Sequence, residues 1–149
     1  YMVYGPNDRG EKHFCDDEVA AFLQLIRAKI GTRGELTVVV DACHSGDATC
    51  GYDDECIRGV DVKFNIPKSL NQPMPQLNEE KWLTISACKP FQLSSEIKDL
   101  QVGKLTYALY KLGGNILNRD KKKLEECLNT FLDNYQGRVK QTPMVSGER

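Results

Sequence analysis

The chain has 149 residues, 40% of them hydrophobic and 28% charged, with a net charge of −1 at neutral pH. That length suits one domain around a single core. Nothing in the overall charge balance points to nucleic acid or a membrane surface, and no apolar run is long enough to span a bilayer.

In chain order, Asp16–Ile30 is predicted as an amphipathic helix. Val19, Phe22, Leu23, Ile26 and Ile30 fall on one stripe, and Asp16-Asp17-Glu18 suits the positive end of the helix dipole. Gly31 supplies a stop. Residues 35–40, Glu-Leu-Thr-Val-Val-Val, lack period-two alternation and are β-branched, as expected of a strand buried on both faces of a parallel sheet. Residues 41–80 lose all periodicity and are punctuated by Gly46, Gly51, Gly59, Pro67, Pro73 and Pro75. A stretch this long without regular structure is functional or disordered. Residues 82–87 give a second strand, and Leu105, Ala108, Leu109 and Leu112 a short helix. Leu124, Cys127, Leu128, Phe131, Leu132 and Tyr135 form a further helical stripe, and residues 138–145 are expected to supply a last strand. Strands alternating with helices predict an α/β domain.

Six cysteines, at 15, 43, 50, 56, 88 and 127, include no Cys-x-x-Cys pair. A disulfide framework belongs to small secreted domains and is not expected where the core is this large. Cys15 and Cys127 are expected to pack as small hydrophobes. Cys43, His44, Cys50 and Cys56 are too irregularly spaced for a structural zinc site.

The informative segment is Val38-Val39-Val40-Asp41-Ala42-Cys43-His44-Ser45-Gly46. It puts a thiol just past the carboxyl end of a strand, where open α/β sheets leave a crevice for ligands. Ala42 before it and Gly46 three residues after permit close approach of a substrate backbone. On position alone Cys43 serves equally well as a packed thiol or as a nucleophile.

The string Asp41-Ala42-Cys43-His44-Ser45-Gly46 resembles the nucleophile motif of metacaspases and related bacterial caspase-like peptidases, and parallels the Gln-Ala-Cys-x-Gly form of caspases. Asp16-Asp17-Glu18, Ile85-Ser86-Ala87-Cys88 with Gln92 and Glu96, and Gly103-Lys104-Leu105-Thr106-Tyr107-Ala108-Leu109 resemble the same family in the same order. The resemblance implies a caspase-like three-layer α/β sandwich with a mostly parallel central sheet, of which residues 1–149 are the Cys-bearing part of one catalytic domain. It implies a cysteine endopeptidase acting through an acyl-enzyme: a thiolate attacks the scissile carbonyl, a His protonates the leaving amine, and backbone N–H groups hold the oxyanion.

The departure from the family is the base. Caspases carry their His roughly 50 residues before the Cys. Only 42 residues precede Cys43, and they hold no His-Gly pair. His44 is adjacent to Cys43, and neighbouring side chains diverge in extended backbone. His13, expected in the loop before the first helix, is a weak candidate. The expectation is therefore an N-terminal fragment of the same precursor, continuous or cleaved before Tyr1 as in clostripain-like relatives, that adds strands and carries the His.

By the same resemblance Asp41 lines an acidic pocket, so Arg or Lys is expected before the cut. The surrounding loop agrees, with Asp41, Asp47, Asp53, Asp54, Glu55 and Asp61 against Arg58 alone. A carboxylate is best matched by a planar guanidinium, with an ammonium second. Ser86 and Ala87 are expected to pair with extended substrate backbone, and Cys88 to form a pocket wall. Asp16 and Asp17 are candidate calcium ligands, calcium being an activator in several metacaspases, and paired carboxylates suit a hard cation. They serve equally as a helix cap without metal. Peptide or protein substrates with Arg or Lys before the cut are the expected partners, with neither nucleic acid nor membrane. The protein is expected to be soluble, its compartment open. Two rivals stand beside the peptidase: a caspase-like interaction module without catalysis, and a peptide ligase using the same acyl-enzyme.

Overall fold

The computed structural model describes residues 2–7, 10–14, 16–42, 81–89, 92–137 and 140–148, with side chains from residue 19 onward. Strands β1 (Met2–Asn7) and β2 (Gly10–Phe14) form an antiparallel hairpin in which Asn7 faces Gly10 and Val3 faces His13. His13 thus lies in a strand and not in a loop, a correction to the expectation above. The missed signal is local: Pro6, Asn7 and Gly10, residues that favour a chain reversal, separate the two segments that pair.

Helix α1 spans Asp16–Ile30, as its stripe predicts. It ends where Gly31 adopts a positive φ of 68° and returns its N–H to Arg27 O at 3.0 Å. The Arg27 guanidinium reaches on to Gly34 O, so the helix stop and the turn behind it are tied together. The stripe itself stays uncovered among the described residues: Phe22 and Ile30 are exposed, as is Leu25 off the stripe, and Val19, Leu23 and Ile26 are only half-buried.

Strand β3 (Thr37–Val40) pairs in parallel with β4 (Leu83–Ser86), Thr37 facing Leu83 and Val40 facing Ser86. On its other side β4 pairs antiparallel with a strand at Met144–Gly147. This sheet is α/β in character but mixed in direction, one ladder parallel and the other antiparallel. The last strand lies slightly later than its sequence range suggests. A second correction concerns β3: it is an edge strand among the described residues, alternating between exposed and half-buried positions, with Val39 44% exposed. Its apolar run reads as an interior strand, but an interior place requires neighbours on both sides.

Burial falls instead on β4, the middle strand, where Leu83 and Ile85 are fully covered. A small antiparallel pair, β5 (Glu96–Ile97) and β6 (Val102–Gly103), leads directly into helix α2 (Lys104–Leu112). Helix α3 (Lys121–Leu132) follows a 3-10 turn at Gly114–Asn118, and the final strand, β7, is the Met144–Gly147 segment. Leu105 and Ala108 of α2, Ile116, and Leu124, Leu128 and Leu132 of α3 close over Leu83, Ile85 and Ala87 as one core. The fourfold spacing of the three α3 leucines puts them on one face, each worth about 2–5 kcal/mol if truncated to Ala. No helix among the described residues is long and apolar enough to cross a membrane.

Candidate functional site

Parallel pairing brings the carboxyl ends of β3 and β4 to the same side of the sheet. The ladder runs one step beyond β4, where the Ala87 N–H donates to Val40 O at 2.9 Å. Asp41 and Ala42 therefore leave the sheet beside Ala87 and Cys88. The sequence continues directly into Cys43, which lies outside the described residues together with His44, Asp47, Cys50, Asp53, Asp54, Glu55, Cys56 and Asp61.

Asp41 is half-buried, and both its carboxylate oxygens are engaged. The Ser94 hydroxyl donates to Oδ1 at 3.2 Å. On Oδ2 converge the Thr106 N–H, at 3.0 Å, and the Thr106 hydroxyl, at 2.5 Å. Thr106 stands in the first turn of α2, whose cap position is Gly103, without a side chain to serve as a cap, and whose first turn holds no acid. A helix start of this kind leaves N–H donors open. Asp41 meets one of them across 65 residues of sequence, and Ser95 O meets another, accepting from Lys104 N at 3.1 Å.

Ser86 closes β4 between β3 and β7, and Ala87 is fully buried, with its N–H given to Val40. A substrate backbone has no access to that N–H in this arrangement. Cys88 is buried and takes part in no disulfide; its thiol donates to Gln92 O at 3.3 Å. With Ala87 it forms a buried wall just past the end of β4.

Behind this wall the residues 92–95 are clamped to residues 140–143. The Gln92 carboxamide oxygen accepts from Lys89 N and Thr142 N, each at 3.1 Å, while its Nε2 donates to Thr142 Oγ1 at 3.1 Å. Ser95 N donates to the buried Gln141 Oε1 at 3.0 Å, and Gln136 and Gln141 bond each other reciprocally, at 3.0 and 2.9 Å. Sequence reasoning gave no role to Ser94, Thr106, Gln141 or Thr142. The available signal was the start of α2: a Gly at the cap followed by Lys-Leu-Thr needs an acceptor from elsewhere.

Asp16 and Asp17 are the first two residues of α1. Among the described residues no three His, Cys, Asp or Glu side chains gather as a metal set. Neither of the loop acids that would complete a calcium site with them, Asp47 or Asp53, is among those residues. Compared with family models, with curated proteins and with solved structures, the chain matches none.

Proposed function

We propose that this chain is the Cys-bearing part of a caspase-like cysteine endopeptidase, built as a three-layer sandwich and cleaving after Arg or Lys. The observation that carries the proposal is the parallel register of β3 and β4, with Val40 opposite Ser86 and Ala87 bonded to Val40 O. It brings Asp41 and Ala42, the two residues before Cys43, to a strand end flanked by a second strand end and a helix start, the setting in which α/β sheets bind ligands.

In the proposed reaction the Cys43 thiolate attacks the scissile carbonyl and forms a thioester. The amine leaves with a proton from a His, and water then releases the acid product and regenerates the thiol. The His comes from an N-terminal polypeptide of the same precursor. Support for such a partner lies in β3, whose outer edge has no strand partner among the described residues, and in the uncovered Phe22, Leu25 and Ile30 of α1. Asp41 supplies the charge that favours Arg or Lys before the cut. Cys88 stands beside it as a wall of that site, next to Ser86 and Ala87 at the end of the neighbouring strand.

Labelling with an arginyl fluoromethylketone tests the reading. One covalent adduct on Cys43, located by peptide mass spectrometry, is the expected result. No adduct on any cysteine, in a protein that also cleaves no Arg or Lys peptide, leaves an interaction module instead. Product analysis with an added amine separates hydrolysis from ligation.

A further inference from the structure

We propose that Thr106 is a positioning residue for the reaction at Cys43, acting through Asp41. The Asp41 carboxylate is the N-terminal cap of α2, and this clasp fixes the strand end from which Cys43 follows. The catalytic half of the proposal rests on Cys43 being the nucleophile; the clasp does not.

The clasp is built from both sides. Thr106 gives its N–H and its hydroxyl to one oxygen, at 3.0 and 2.5 Å, and Ser94 gives its hydroxyl to the other, at 3.2 Å. Bonds to a carboxylate are the strong, charge-assisted kind, and donors on both oxygens fix its plane as well as its place. The positive end of α2 adds attraction for that charge.

Gly103 completes the fit. Its φ of −61° and ψ of 141° are open to any residue, so its backbone does not demand glycine. Its neighbour does: a β-carbon there would lie 2.6 Å from Asp41 Cγ and 2.8 Å from Oδ1. The missing side chain is the space the carboxylate occupies.

Covalent geometry keeps the Cα of residue 43 within about 7 Å of that of Asp41. The clasp thus holds the carboxylate two residues before the nucleophile, and the expected consequence of releasing it is a looser placement of Cys43. Misplacing a reacting group by about 1 Å costs up to about a hundredfold in rate.

Two experiments on the complete protein decide it. The first is a mutant cycle in urea unfolding. Gly103→Ala should raise the unfolding constant about tenfold in the wild-type background, within the range for overpacked sites. It should be near-neutral with Asp41→Ala, which removes the three atoms nearest to that β-carbon. An equal effect in both backgrounds overturns the clasp. The second is kinetic. Thr106→Val should lower kcat about tenfold on Arg and Lys peptides alike, with KM changed less than about twofold, and Thr106→Ser should restore it. An unchanged kcat, or a loss that Thr106→Ser fails to restore, overturns the positioning role. A positive cycle in a protein that hydrolyses no peptide removes the peptidase reading and leaves the clasp standing.

Discussion

Gln92 and Thr142, 50 residues apart, grip each other through one side chain. The Thr142 N–H donates to Gln92 Oε1 while Gln92 Nε2 donates to Thr142 Oγ1, both at 3.1 Å. The same Oε1 takes the Lys89 N–H, also at 3.1 Å, so one carboxamide joins the turn after β4 to the approach to β7. With Cys88 bonded to Gln92 O, the wall of the candidate site is continuous with this grip.

Truncating that carboxamide strips a partner from two backbone donors at once. Gln92→Ala should destabilise the fold by about 1–3 kcal/mol, the cost of leaving such groups unsatisfied. Gln92→Glu keeps the acceptor and should cost less. Urea unfolding of the two variants checks the order, and an Ala variant as stable as wild type would mean that water replaces the side chain without loss.

Cys43→Ala should abolish peptidase activity of the complete protein and leave its unfolding midpoint unchanged. Cys88→Ala should keep most of the activity, since the Cys88 thiol is spent on Gln92 O inside the wall. Turnover that survives the first substitution, or is lost with the second, reassigns the nucleophile.

Peptide-library profiling should show a strong preference for Arg or Lys over Asp before the scissile bond. An acidic side chain there meets the Asp41 charge in a partly desolvated place, with repulsion added to lost pairing. Asp41→Asn should reduce turnover of Arg substrates. It weakens the clasp as well as the charge, so part of the loss should appear with uncharged substrates too. A profile that prefers Asp refutes the assignment.

Intact-mass analysis of the purified protein after denaturation should show a second polypeptide or a longer single chain. That partner is expected to pair with the outer edge of β3 and to cover α1; if cleaved, the cut should follow an Arg or Lys. Residues 1–149 found alone, folded and active on a peptide, would defeat the expectation and promote His13 to leading base.

Asp120 caps α3 by accepting the Lys123 N–H at 3.0 Å, and the Lys123 ammonium lies 3.2 Å from its other oxygen. The N–H bond first, then the ammonium, hold the Asp120 carboxyl below its ordinary value. A carboxyl depressed in the folded state stabilises fully above its unfolded pKa, near pH 4, and loses that contribution as pH falls through the folded value. Thermal melts should therefore show the gap between wild type and Asp120→Ala narrowing as pH drops from 7 to about 3. A gap constant with pH contradicts the cap.

The helices were legible because their signals are local. The apolar spacing of Val19, Phe22, Leu23 and Ile26 and the glycine at 31 specify α1 and its stop, and the fourfold spacing of Leu124, Leu128 and Leu132 specifies α3 and the face it buries. The strand at 82–87 was equally plain from composition, and the Asp41-Ala42-Cys43 motif marked the strand end to examine. What the sequence could not decide was which strand has neighbours on both sides. Val38-Val39-Val40 looks more like an interior strand than Leu83-Thr84-Ile85, yet among the described residues it is β4 that has a strand on each side, with β7 antiparallel beside it. The partner of Asp41 was equally hidden. Thr106 lies 65 residues away, and only the packing of α2 against the sheet brings its N–H and hydroxyl onto the carboxylate. Periodicity is written in neighbours along the chain, whereas a carboxylate's role is set by whichever donors the fold carries to it.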